Sequence, residues 1–175
     1  MQTARQAGVS PEEIARFDAL AARWWDPAGP MRPLHAMNRL RVDWILARMQ
    51  KRFAAPVRLL DVGCGAGLAA EALARAGHDV LGLDAAGEAL AAGRAHAEGQ
   101  ALALSYRDGL AEDLLAEGAR FPVITALEVI EHVPDPMGFL AVLAGLLAPG
   151  GLLFVSTLNR TPRALLTAKL AAEYV

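Results

Sequence analysis

Two groups of residues have the types and spacing to do chemistry. In "RLLDVGCGAGLAAEALARAG", Arg58 to Gly77, an apolar run ends at Asp61, and Gly63, Gly65 and Gly67 follow. A glycine-rich turn between a strand and a helix usually cradles phosphate. Here Leu68 stands where the dinucleotide fingerprint has its third glycine, and Asp61, two residues before the first glycine, would repel a pyrophosphate. The same carboxylate would attract an ammonium. S-adenosylmethionine fits that pattern: it has no phosphate, carries an ammonium and a sulfonium, and its amino-acid end can lie close against glycine backbone. Asp84 ends the run "VLGLDAA". A carboxylate there can accept both ribose hydroxyls, as an acid about 20 residues after a dinucleotide loop does. The plainer alternative for both features is a strand-ending turn with a capping aspartate.

The second group is Glu128, Glu131 and His132 in "ALEVIEHVPDP". Their i, i+3, i+4 spacing would place all three on one side of a helical turn. Two carboxylates and an imidazole suit a divalent cation, and Mg²⁺ would bind both carboxylates while keeping waters or substrate oxygens. Without a metal, His132 is the candidate general base. The third reading is an acid-rich helix start with His132 on a surface turn.

The elements that must position these groups alternate. Val57–Val62, Asp79–Leu83, Leu102–Tyr106, Pro122–Leu127 and Leu152–Thr157 read as strands, separated by helical segments near 68–76, 87–98, 111–117 and 137–147. Such alternation predicts an α/β fold, a Rossmann-like parallel sheet with helices on both faces. Ligand should then sit at the carboxyl ends of the first, second and fourth strands. Before the first strand, Ser10-Pro11-Glu12-Glu13 starts a helix expected to run to about Trp25. A loop, Asp26 to Pro33, leads to a second helix over about Leu34 to Arg52. The reading divides the chain into an N-terminal helical cover, 1–55, and a cofactor-binding core, 56–175.

At 175 residues the chain has room for about one domain. With 54% hydrophobic residues it can bury a core, and a net charge of −2 supplies no footprint for nucleic acid. One cysteine, Cys64, leaves no internal disulfide and no zinc set, which points to a reducing, cytosolic setting. Charges interrupt the N-terminus where a secretory signal needs an apolar stretch. From Pro136 to Asn159 no residue is charged, long enough to span a bilayer at about 20 residues, but Pro149-Gly150-Gly151 breaks the run. A helix before that turn and a buried strand after it are expected instead.

"LLDVGCGAG", "LGLDAA", "ALEVIEHVPDP" and "LAPGGLLFVSTLNR" resemble the motif series of class I S-adenosylmethionine-dependent methyltransferases. With "FDALAARWWDPAGPMRPLHAMNRLR" at the N-terminus, the chain is similar to the O-methyltransferases of ubiquinone biosynthesis from about Ile14 to Val175. The resemblance implies methylation of phenol or catechol hydroxyls on polyprenylated substrates, with S-adenosylmethionine as methyl donor. It gives Arg41 to the methionine carboxylate, Gly63 and Asp84 to the loop and ribose contacts, and Leu127 to the wall beside the cofactor. It also implies metal ligation by Glu128, Glu131 and His132. A free phenol has a pKa of about 10, so a base or a metal is required.

Leu110 stands where related methyltransferases often place an acid for the adenine amino group, with Asp108 and Glu112 as nearby replacements. Asn38 is followed by Arg39 where the family commonly has proline. The family continues for several dozen residues past "AEYV", so the last strands and part of a substrate lid are expected to be missing. His35, Trp24 and Trp25 belong to the helical cover in this reading. "RALLTAKLAAEYV" reads as a packed helix, with an amphipathic helix at a membrane surface as the alternative. A polyprenylated substrate would give the chain reason to lie peripherally at the inner membrane beside other ubiquinone-biosynthesis enzymes. Competing functions are another small-molecule methyltransferase and a catalytically silent cofactor-binding fragment. A nicotinamide-dependent dehydrogenase is disfavoured by Asp61 and Leu68.

Overall fold

The computed structural model describes residues 10–157; "RALLTAKLAAEYV" lies outside them. Five strands, β1 (Arg58–Val62), β2 (Asp79–Asp84), β3 (Leu104–Asp108), β4 (Phe121–Leu127) and β5 (Leu147–Ser156), form one sheet in the order β3-β2-β1-β4-β5. Every pairing is parallel. Parallel neighbours need crossovers, and α3 (Leu68–Arg75), α4 (Gly87–Ala97), α5 (Ala111–Ala116) and α6 (Pro136–Leu146) supply them.

Side chains alternate across β1 and divide the core. Leu60 and Val62 pack with Ile124, Leu114, Phe139 and Leu143 on one face. Leu59 packs with Val80, Val123, Leu73 and the N-terminal residues Val42, Ile45 and Met49 in a separate cluster. After β1 the chain steps outward through β2 and β3, then returns to place β4 on the other side of β1. The carboxyl ends of β1 and β4 therefore flank the topological switch point, where crevices form in open α/β sheets.

Helix α1 (Pro11–Asp18) begins as expected: Ser10 Oγ accepts the Glu13 N–H at 3.2 Å. It stops at Asp18 rather than near Trp25, and a 3₁₀ turn, Ala21–Arg23, follows. The break lets two adjacent indoles part: Trp24 is buried over the glycine loop. Trp25 stacks on His96, ring centroids 3.5 Å apart. Helix α2 (Arg32–Arg52) starts before the expected Leu34, with Pro33 in the first turn, where a missing N–H costs nothing.

Strand β5 differs from its expectation. It begins at Leu147 and carries Pro149 and Gly150 within it, and the ladder with β4 shifts register between Phe121 and Val123. Its extra residues loop out against β4, as a bulge does. Phe154 is its only buried residue, because β5 is the sheet edge among the described residues. Among those residues no helix is long and apolar enough to cross a membrane.

Candidate active site

The loop after β1 is shaped by φ angles that only glycine adopts easily: +67° at Gly63, +53° at Gly65 and +88° at Gly67. Space reinforces conformation. A Cβ on Gly63 would meet Val129, one on Gly65 the Trp24 indole, and one on Gly67 the Tyr106 hydroxyl. The turn is pinned to β2 by the Gly63 and Cys64 N–H groups, which donate to the Leu83 carbonyl at 2.8 and 3.2 Å. Burial pushes the Cys64 thiol well above its ordinary range. It is a packing residue here.

Asp84 sits beside this loop. Its Oδ2 accepts the Gly65 N–H at 2.7 Å and its Oδ1 the Ala86 N–H at 2.8 Å. Burial raises its pKa, and those two N–H groups oppose the rise. Each oxygen retains a second lone pair for a ribose hydroxyl. Asp61 is more deeply placed, 2% exposed, with Oδ1 accepting from the Thr125 hydroxyl at 2.5 Å. Desolvation pushes its carboxyl up to about 6 against the pull of that hydrogen bond and of Arg41.

Three cavities adjoin the loop. The central one, about 280 Å³, is lined by Gly63, Gly65, Asp84, Leu127, Glu128, Glu131 and His132, and roofed by Ile14, Phe17 and Trp24. A smaller one, about 50 Å³, holds Arg41, Asp61 and Asn38 and shares Trp24, Gly63 and Leu127 with the first. Another of about 50 Å³ lies on the Asp84 side, with Leu110 and Glu112 in its wall. Of the two acids near Leu110, Glu112 lines that cavity and Asp108 does not.

The segment after β4 departs from its expectation. Only Ile130–His132 form a turn, and it is 3₁₀, so the three residues do not share an α-helical face. Glu128 lies before that turn at φ +59°, left-handed for a residue with a side chain. This is local strain of the kind that collects at functional sites. Its Oε1 accepts from the Ser156 hydroxyl at 2.7 Å and lies 3.6 Å from Arg41. His132 turns instead to α1, its Nδ1 2.7 Å from Glu13 Oε2 and its ring edge-on to Phe17. Among the described residues no group of three His, Cys, Asp or Glu side chains is arranged to hold a metal ion. The expected Mg²⁺ set does not fit: Glu128 is drawn toward β5 and α2, and His132 toward α1.

Glu13 is the residue that sequence reasoning missed. It appeared only as an acid in a first helical turn, and nothing local marks a partner 119 positions away. Arg41 carries one guanidinium nitrogen 3.6 Å from Glu128, while its Nε has no hydrogen-bond partner among the described residues.

The comparisons with known proteins agree with this geometry. A family model described as a methyltransferase domain matches residues 34–174. Ubiquinone biosynthesis O-methyltransferases from Cereibacter sphaeroides and Caulobacter are each 46% identical, over 95% and 99% of this chain and 71% and 73% of theirs. One from Sodalis glossinidius is 48% identical over 98% of this chain and 68% of its own. The chain belongs to the ubiquinone-biosynthesis O-methyltransferase family.

Among solved structures, a plantazolicin methyltransferase in complex with S-adenosylhomocysteine superposes with a TM-score of 0.65 at 19% identity, over 92% of this chain and 64% of its own. That likeness shows the class I methyltransferase fold. The family is one of S-adenosylmethionine-dependent enzymes.

Proposed function

We propose that the chain transfers a methyl group from S-adenosylmethionine to a phenol or catechol hydroxyl of a polyprenylated ubiquinone precursor. The observation that carries this reading is one cavity at the switch point, which gathers the glycine loop, Asp84 and Leu127 on one side and His132 on the other. When bound, S-adenosylmethionine supplies an electrophilic methyl on sulfur. The residues need only align the acceptor oxygen with it and remove a proton.

His132 takes the proton in this reading. Glu13 faces Nδ1, which leaves Nε2 for the hydroxyl, and a carboxylate there stabilises the imidazolium that forms. Phe17, Trp24 and Leu34 give the ring an apolar surround. Glu128 accepts from the Ser156 hydroxyl and lies 3.6 Å from Arg41.

A long apolar tail has a place as well. An open groove of about 480 Å³ continues from the central cavity through Met37 and Leu127, lined by Leu40, Trp44, Leu153 and Val155. The lining is almost wholly apolar, as an isoprenoid would require. Contact with the inner membrane belongs to the same reading, since such a substrate partitions there.

The test is transfer of labelled methyl from S-adenosylmethionine to catechols with and without a prenyl tail, in EDTA and in Mg²⁺. Turnover in EDTA, lower KM for tailed substrates and inactivity of His132→Ala are expected. Turnover only with added Mg²⁺ would replace direct base catalysis by metal activation. Methylation of unrelated small acceptors alone would favour a different methyltransferase.

A further inference from the structure

We propose that Trp24 and Asn38 complete the binding site for the amino-acid end of S-adenosylmethionine: Trp24 Nε1 joins Arg41 in donating to the carboxylate, and Asn38 Oδ1 joins Asp61 in accepting from the ammonium. This rests on the cofactor reading above and adds two residues to it. The small cavity at the amino-acid end is lined by Trp24, Asn38, Arg41 and Asp61. Three polar atoms belonging to these side chains, Trp24 Nε1, Asn38 Oδ1 and Arg41 Nε, are buried with no hydrogen-bond partner among the described residues. Buried polar atoms are nearly always satisfied, so three orphans around one cavity mark a ligand that satisfies them together.

Their chemistry identifies the ligand. Two are N–H donors and one is a carbonyl acceptor, and a buried carboxylate lies beside them. Donors next to acceptors in a space of about 50 Å³ match the two ends of a zwitterionic α-amino acid. The cavity opens toward the adenosine side through Gly63 and Leu127, which also line the central cavity beside Asp84. The order amino acid, sulfur, ribose and adenine thus runs from Asp61 past Gly63 to Asp84 and Glu112.

Both side chains are held for the task. Asn38 Nδ2 donates to the Leu68 carbonyl at 2.8 Å, at the start of α3, which fixes the amide so that Oδ1 is the atom left over. The carbonyl of Trp24 is tied to His35 Nε2 at 2.9 Å. The indole lies against Gly65, where any Cβ would displace it. His35 is therefore a positioning residue for Trp24.

The experiment titrates the 175-residue chain with S-adenosylhomocysteine and with 5′-methylthioadenosine, which keeps the nucleoside and sulfur but lacks the amino acid. Trp24→Phe removes the N–H and keeps an aromatic ring; Asn38→Leu removes the acceptor at similar volume. Each should weaken S-adenosylhomocysteine about 10-fold, the scale of a lost hydrogen bond to a charged group, while methylthioadenosine affinity stays within about 2-fold. If Asn38→Leu does not fold, Trp24→Phe decides the point. Unchanged S-adenosylhomocysteine affinity in the variants, or equal weakening of both ligands, overturns the proposal. A wild type that binds both ligands equally tightly overturns it while leaving the cofactor reading intact. A wild type that binds neither overturns both.

Discussion

Asp61 shows how a buried carboxylate loads the fold with a cost. Its folded pKa, about 6, lies above the usual 3.8 because burial penalises the charge. The protonated form is therefore favoured by folding: that contribution is full below the usual carboxylate range and is lost as pH rises through about 6. At pH 7.5 the ionised group should cost roughly 2–3 kcal/mol. Asp61→Asn should raise Tm at pH 7.5, with the gain shrinking toward pH 4, while weakening S-adenosylhomocysteine binding. Melting curves at the two pH values check this; a pH-independent gain would place the strain elsewhere. Wild-type affinity for that ligand should also climb as pH rises through about 6, since the ammonium needs the carboxylate ionised. Gly63 is constrained in a different way, by space as well as φ. Gly63→Ala forces a Cβ into Val129 and should destabilise by about 1–3 kcal/mol while narrowing the central cavity. A calorimetric titration showing unchanged ligand affinity would mean that Val129 moves aside at no cost. The acids and glycines were legible because their types and spacing are the signal. The contacts of Trp24 with Gly65 and of Asn38 with Leu68 were not, since nothing local marks partners 41 and 30 positions away.

At the scale of elements, the alternation of strands and helices was legible to within a residue or two for β1, β2, β4, α3 and α6, because a buried parallel sheet forces apolar runs separated by glycine turns. What sequence periodicity could not supply was decided by tertiary contacts. The segment after β4 has helical spacing, yet it is a strained residue followed by one 3₁₀ turn, since Ser156 and Arg41 draw Glu128 one way and Glu13 draws His132 another. Helix α1 has no buried residue, so its place depends on contacts such as Glu13 with His132 and Phe17 with His132 and Trp24. Glu13→Gln should then lower kcat by up to about 10²-fold, the scale of a disabled general base, with cofactor affinity nearly unchanged because Glu13 lies outside the three cavities. Single-turnover rates and calorimetric binding separate the two effects. An unchanged kcat would reduce the Glu13 contact to anchoring α1.

For the molecule as a whole, the division at residue 55 read from the sequence meets a different physical boundary. Helix α2 places Val42, Ile45 and Met49, 5%, 2% and 1% exposed, against Leu59 and Val80 of the sheet and Leu73 of α3. Burying three such side chains contributes about 5–9 kcal/mol, comparable to the whole net stability of a domain at about 5–15 kcal/mol. Trp24 and Met31 join Ala66, Ala86 and Ala89 in a further cluster, so the chain from Ala21 onward is also committed to the core. Among the described elements only α1 is peripheral. We therefore expect that deleting residues 1–19 leaves a cooperative thermal transition and S-adenosylhomocysteine binding within about 10-fold, but removes turnover, because His132 loses Glu13 and the cavity loses Ile14 and Phe17 from its roof. Deleting residues 1–55 should leave no cooperative transition at all, since the sheet face over Leu59 and Val123 would be bared. Calorimetry on both truncated chains, with circular dichroism to follow the helices, reads the difference. A folded, ligand-binding protein lacking residues 1–55 would restore the boundary that the sequence suggested and make α2 a cover laid on a self-sufficient sheet.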